Sequence, residues 1–234
     1  GDIRDFSALT AALAEHRPEV VVHMAAQSVV SRGYADPIET YSTNVLGTVH
    51  ILEAIRQLRN PCVVVNVTSD KCYENREWPW GYREIERMGG RDPYSNSKGC
   101  AELVTSAYRQ SFFPPESFEK HGVSLASARA GNVIGGGDWS DERLVPDLVR
   151  GFLAGEPVKI RRPGAVRPWQ HVLEPLHGYM LLAERLLEGE RKFAGPYNFG
   201  PPEEDAWPVM RVADRMVELW GKGAKWTRDA EAGV

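Results

Sequence analysis

Apolar residues recur at helical spacing over residues 5–16, with Leu9, Ala12 and Leu13 on one side, and this pattern predicts an amphipathic helix. The next segment, Glu19-Val-Val-Val-His-Met24, is short and β-branched and predicts a buried strand. A loop of small residues, Ala25-Ala26-Gln27-Ser28, follows it. Helical periodicity returns over 37–58 through Val45, Val49, Leu52 and Ile55. Cys62-Val-Val-Val-Asn-Val67 predicts a second buried strand, and an irregular stretch rich in Trp and Gly fills 68–90. Asp92-Pro93 opens a third helix, running to about residue 110, because Asp caps a helix start and proline is favoured at its first position. Residues 123–128 predict a third strand.

Buried strands alternating with helices predict an α/β fold built on a doubly wound parallel sheet. Beyond about Gly135 the alternation loosens, and short strands at 157–160 and 197–199 mix with helices at 141–155, 172–188 and 209–220. The expected division is a sheet domain at 1–135 and a smaller lobe at 136–234, partly interleaved with the first.

Composition narrows the function. With 234 residues, 42% hydrophobic and 26% charged, the chain can bury a core of ordinary size without disulfides. A net charge of -4 without a basic block argues against nucleic acid, although a few placed arginines suffice for an anionic small molecule. The three cysteines, Cys62, Cys72 and Cys100, form no C-x-x-C and fit a reduced, cytoplasmic protein. No apolar run approaches the ~20 residues needed to cross a bilayer, so no membrane is expected as a partner. His23 and His171 lack ligand spacing, so no metal is expected. Gly135-Gly-Gly137 lacks the Lys-Ser/Thr of a phosphate loop and reads as a flexible segment.

Candidate chemistry lies on the third helix, in Tyr94-Ser-Asn-Ser-Lys98. Residues four apart share a helix face, and an ammonium beside a phenol favours the phenolate. An unperturbed tyrosine titrates near pH ~10, so work near neutrality needs a shift worth roughly 4 kcal/mol. Such a phenolate can take a proton from a hydroxyl while hydride leaves the same carbon. Tyr-x-x-x-Lys alone also occurs in many helices by chance. Thr68, Ser69, Asp70 and Lys71 follow the second strand at its carboxyl end, where doubly wound sheets bind ligands. By residue type alone, the same four residues equally suit a plain turn with a surface ion pair.

Taken together, six segments resemble the extended short-chain dehydrogenase/reductase family in order and separation. They are Gly1-Asp-Ile-Arg-Asp5, His23-Met-Ala-Ala-Gln-Ser28, Asn44-Val-Leu-Gly-Thr48, the Thr68 segment, Tyr94 with Lys98, and Arg129-Ala-Gly-Asn-Val133. Within that family, residues 68–84, Gly135-Gly-Gly-Asp-Trp139 and Arg167-Pro-Trp-Gln-His171 resemble the CDP-glucose 4,6-dehydratase subgroup. Lys71 stands where most sugar-nucleotide 4,6-dehydratases carry Glu.

The resemblance implies a Rossmann-like sheet with a smaller C-terminal substrate lobe, NAD as cofactor, and CDP-glucose or a related sugar nucleotide as substrate. It implies a homodimer formed through helices 37–58 and 93–110. Tyr94, Lys98 and Ser69 would support oxidation at C4. Asp70 as acid and Lys71 as base would then remove water across C5–C6, before hydride returns to C6. Lys71 can act as a base only if burial or a neighbouring cation lowers its pKa. Asp2 and Ile3 would reach the adenine; Ala25, Ala26 and Gln27 the cofactor phosphates and ribose. Thr43, Asn44, Thr68, Ala130 and Val133 would line the nicotinamide half, together with Tyr94 and Lys98. Asn132 and Arg167 would hold the substrate diphosphate, with Asn198 a weaker candidate. A dTDP-glucose dehydratase, a 4-epimerase and a non-catalytic sugar-nucleotide-binding remnant are the competing readings. Asp70-Lys71 argues against an epimerase, which needs no elimination pair.

One departure stands out. No G-x-x-G-x-x-G turn, the pyrophosphate cradle of this fold, occurs near the start. Gly1-Asp2 resembles the end of the family's third strand. The chain is therefore expected to be a fragment without the first β-α-β-α-β portion, shortened after Val234, with weak NAD binding and an apolar sheet edge exposed.

Overall fold

The computed structural model describes residues 1–229; the last five residues of the expected second lobe lie outside the described residues. Asp5 caps α1 (Phe6–His16) by accepting from the Ala8 amide at 2.9 Å. β1 (Val20–His23) leads to two short helices, α2 (Val30–Ala35) and α3 (Pro37–Tyr41). A π-helical segment, Ser42–Leu46, joins α3 to α4 (Gly47–Leu58). β2 (Cys62–Val67) ends in a 3-10 turn at Asp70–Cys72. α5 (Pro93–Ser111) begins where the Asp92 carboxylate accepts from the Ser95 amide at 2.9 Å. α6 (Phe118–His121) and β3 (Val123–Ala130) follow. The remainder comprises β4 (Asn132–Ile134), α7 (Leu144–Ala154), β5 (Val158–Ile160), β6 (Val166–His171) and α8 (Leu173–Leu187). It ends with β7 (Pro196–Phe199), β8 (Ala206–Pro208), α9 (Val209–Trp220) and β9 (Trp226–Arg228).

These elements form two compact units. The first holds Gly1–Ala130 and Leu176–Phe199. Its four-stranded sheet, ordered β1-β2-β3-β7, is parallel throughout, with Val22 opposite Val65, Val65 opposite Ala126 and Ala128 opposite Tyr197. Cys62 and Val64 point to one face, where Leu13 of α1 and Leu52 and Ile55 of α4 cover them. Val63 and Val65 point to the other, where Tyr179, Leu182 and Leu186 of α8 close over them. Burial on both faces explains why β2 and β3 read as unbroken apolar runs rather than alternating ones. The chain returns to this unit for α8 and β7, so the predicted helix 172–188 and strand 197–199 serve the main sheet. β1 forms one edge, where Val22 and Met24 are exposed and line an apolar groove with Leu176 and Met180.

The second unit runs from Gly131 to Pro175 and again from Gly200. β4 pairs parallel with β6, β6 antiparallel with β8, and β5 parallel with β9. Its core is Leu148 and Phe152 of α7, Ile160 and Ala213. Among the described residues, no helix is long and apolar enough to cross a membrane.

The predicted helix 37–58 differs in one respect: it widens into the π segment at 42–46. Asn44 lies within it, and its amide clamps the Gln27 backbone from both sides, accepting from the amide at 2.8 Å and donating to the carbonyl at 2.9 Å. A bulge of this kind adds a residue to one turn and re-aims a side chain; such bulges concentrate at functional sites.

Candidate active site at the sheet tips

The site grows from the end of β2. Thr68 is tied to β3 by its amide, which donates to the Ala128 carbonyl at 2.8 Å. The Ser69 hydroxyl donates to Asp70 Oδ1 at 3.1 Å and accepts from the Lys71 amide at 3.2 Å. These two bonds curl the chain, so Ser69, Asp70 and Lys71 sit on a turn at the strand tip. α5 runs against that turn in near backbone contact, because a Cβ at Gly99 would lie 3.2 Å from the Cys72 carbonyl oxygen. Lys98, the preceding residue, donates from Nζ to the Val67 carbonyl at 3.5 Å. Tyr94 lies one helical turn earlier on the same face, buried, with its backbone against Gly33. The structure thus brings Lys98 to the carboxyl end of β2 beside the Ser69–Lys71 turn and sets Tyr94 next to it along the helix.

A polar lattice fixes α5 from the other side. Asn44 donates to the Ser97 hydroxyl at 2.9 Å, and Gln27 donates to the Thr40 hydroxyl at 2.8 Å. His23, at the tip of β1, has Nε2 3.3 Å from the Thr48 hydroxyl. Burial, with the Lys98 charge adding to it, presses its pKa down to about 4, so the ring is neutral at pH 7. Burial also lowers the Lys98 pKa to about 8, and the Glu102 carboxylate offsets part of that effect. Lys98 therefore remains mostly protonated at neutral pH while its charge is barely screened. An ammonium in that state is suited to stabilising a phenolate.

These residues also fit a dinucleotide. Lys98 is buried, and its hydrogen bond to Val67 is long, so donor capacity remains for a ligand hydroxyl. Ala25 and Ala26 at the tip of β1 allow close approach to the backbone, and Gln27 is held rigid between Asn44 and Thr40. Thr43 lies in the π segment and Ala130 closes β3.

Other predicted residues are engaged elsewhere. The Asp2 carboxylate forms an exposed ion pair with Arg4 at 2.6 Å. Ile3 packs on Gly47, where a Cβ would lie 2.8 Å from its side chain. Asn198 spends its amide inside the first unit, accepting from the Tyr73 hydroxyl and donating to the Tyr82 carbonyl, each at 2.7 Å. Asn132, Val133 and Arg167 belong to the second unit. There Asn132 pairs in register with Trp169, and Arg167 lies two residues earlier on the same strand face.

A family model described as GDP-mannose 4,6 dehydratase matches residues 1–186. The chain belongs to this family. It is 61% identical over 231 residues to a CDP-glucose 4,6-dehydratase from Salmonella typhimurium, covering 99% of this chain and 64% of that protein's length. The fold matches a UDP-glucose 4-epimerase from Thermus thermophilus in complex with NAD, at TM-score 0.82 and 26% identity, over 100% of this chain and 73% of that one. It also matches a dTDP-glucose 4,6-dehydratase double mutant from Streptomyces venezuelae, at TM-score 0.78 and 23% identity, over 100% and 67% of the two chains. The parallel α/β architecture expected from the strand–helix alternation is the one these structures share.

In this member of the GDP-mannose 4,6-dehydratase family, three further residues reach the strand tip, Glu102, Arg129 and Tyr73, and Ser97 ties α5 to Asn44. Glu102 carries a sequence signal, since it continues the i, i+4 stripe of Tyr94 and Lys98. Its partnership with Arg129 on β3 is tertiary, and no spacing announces it.

Proposed function

We propose that this chain carries the chemistry of a CDP-glucose 4,6-dehydratase, a hydro-lyase that forms CDP-4-keto-6-deoxyglucose. The observation that carries the reading is Lys98 reaching the Val67 carbonyl, which joins the Tyr94/Lys98 helix to the tip bearing Asp70 and Lys71. Identity of 61% to the Salmonella enzyme supports the choice of CDP-glucose. NAD, when bound, supplies a hydride acceptor for C4 and a hydride donor for C6; Ala25, Ala26, Gln27, Thr43, Thr68, Tyr94, Lys98, Ala130 and Val133 would hold it, with Asp2 and Ile3 toward the adenine. Asn132 and Arg167 are the candidates for substrate contacts, while the Asn198 amide is taken by Tyr73 and Tyr82.

Tyr94, as phenolate, takes the C4 hydroxyl proton; Lys98 stabilises the phenolate and Ser69 hydrogen-bonds the C4 oxygen. The C4 ketone acidifies the C5 proton. Lys71 removes that proton, Asp70 protonates the departing C6 hydroxyl, and water leaves; Lys71 gives the proton back to C5 when C6 accepts hydride. No net oxidation occurs over the cycle. Full-length protein incubated with CDP-glucose is expected to yield a 4-keto-6-deoxy sugar without net NADH. Steady NADH release, or a 4-epimer as the product, would refute the reading. Parallel assays with dTDP- and GDP-sugars test the base.

We place the enzyme in the cytoplasm, a reading supported by three free cysteines. We also propose a homodimer. Ile38, Leu46 and Leu103 are 81%, 52% and 60% exposed, around an apolar groove lined by α3, the π segment and Cys100 of α5. Contiguous exposed apolar surface marks interaction sites. Sedimentation equilibrium at micromolar concentration should give twice the chain mass; a monomer mass would refute it.

A further inference from the structure

We propose that the buried ion pair Glu102–Arg129 is the positioning element of the site, holding the Thr68–Lys71 turn and the aromatic loop around 73–84 in register with Lys98. This rests on the dehydratase reading above. Both side chains are almost fully buried, 3% and 4% exposed, and they meet at 2.7 Å. Glu102 Oε1 accepts from the Thr68 hydroxyl at 2.5 Å. Its Oε2 accepts from the Ser127 hydroxyl at 2.8 Å and from Arg129 Nη2. Thr68 is therefore fixed twice, by its amide to β3 and by its hydroxyl to α5, immediately before Ser69 and Asp70.

Arg129 extends the network outward. Its Nη1 donates to the Tyr73 hydroxyl at 2.7 Å and to the Glu84 carbonyl at 3.0 Å, so one guanidinium grips both ends of the loop. Tyr73 passes the bond on to Asn198, whose amides bind Tyr82 and the Glu84 carboxylate. Tyr73, Tyr82 and Trp78 stack in sequence along that loop. A packed apolar pair could fill the same volume at no loss of stability. It could not specify the directions of two hydroxyls and a phenol, and this directional content is what a turn carrying an acid and a base requires.

Glu102 has a second effect, one helical turn beyond Lys98. The groups facing Lys98 are His23 from β1, Cys72 from the 3-10 turn, and Tyr94 and Glu102 on its own helix; Arg129 and Arg109 act on it through Glu102. The Glu102 charge supports the protonated amine against burial.

The test uses full-length protein. Glu102→Gln is expected to lower kcat about 100-fold while KM for CDP-glucose stays within about threefold. The alkaline limb of its kcat profile should move to lower pH, because Lys98 loses a counter-charge. The paired variant Glu102→Met with Arg129→Leu leaves neither member of the pair unpaired, so it should melt above Glu102→Gln yet stay about 30-fold or more below wild type in kcat. If that pair fails to fold, Thr68→Val decides, since it removes only the hydroxyl that donates to Glu102 and, at 3.4 Å, to the Ala128 carbonyl; a roughly tenfold loss in kcat at unchanged KM is expected. A folded paired variant, or Thr68→Val, turning over at the wild-type rate would overturn the positioning role. A wild type that makes no keto sugar overturns the dehydratase reading and this proposal with it.

Discussion

Tyr94→Phe is expected to lower kcat for CDP-glucose by about 10³-fold, with the melting midpoint and substrate affinity close to wild type. The variant removes one oxygen from a buried side chain and leaves its ring in place. The loss falls on the first step, because the other groups on this face of α5 are committed elsewhere: one turn away is Lys98, an ammonium near neutral pH, and beyond it the Glu102 carboxylate accepts from Thr68, Ser127 and Arg129. Asp70→Asn provides the contrast. In the proposed mechanism Asp70 serves the elimination, so its loss should leave C4 oxidation intact and stop water from leaving. Rapid-scan absorbance would then show bound NADH building up at about one equivalent per site, whereas Tyr94→Phe shows none. Equal silence from both variants would place Asp70 in the first step and break the division of labour between helix and strand tip.

That division was partly legible from the chain. β2 matched its predicted bounds because an apolar run between turn residues admits one reading. Asp92-Pro93 announced α5 through cap chemistry that operates locally, and the cap forms. Tyr94 and Lys98 followed from helix periodicity. What escaped was tertiary. Lys98 and Glu102 at i, i+4 look like any exposed helical pair, and only burial against β3 shows that Glu102 pairs instead with Arg129. The π segment has the same apolar spacing as the helices around it, and its cause, the clamp of Asn44 on Gln27, spans 17 positions. β4 and β8 have three residues each, too few to show alternation. Asp2 illustrates the converse: a motif drew attention to it, while Arg4, two residues away, occupies its carboxylate.

The position of Tyr94 depends on a residue that carries no chemistry. A Cβ at Gly90 would lie 2.5 Å from the Asn96 amide nitrogen, 2.5 Å from the Ser95 carbonyl carbon and 2.7 Å from Ser95 Cβ. The first two are backbone atoms of the first turn of α5, so no rotamer change relieves the clash. That turn is also pinned by Asp92, which accepts from the Ser95 amide at 2.9 Å and from its hydroxyl at 2.5 Å. Gly90→Ala must therefore push the helix start, and Tyr94 with it. Overpacking of this kind costs about 1–3 kcal/mol, which for a chain of this size corresponds to a fall of about 2–12 °C in Tm. A displacement of about 1 Å at Tyr94 should cost a further ~100-fold in kcat among the molecules that remain folded. Gly164→Ala is the matched control, because nothing lies within 4 Å of its would-be Cβ; its Tm and kcat should stay at wild type. If Gly90→Ala melts and turns over like wild type, the loop before Asp92 yields without moving the helix, and the placement of Tyr94 must come from its other contacts, Gly33 and the Asn44–Ser97 bond.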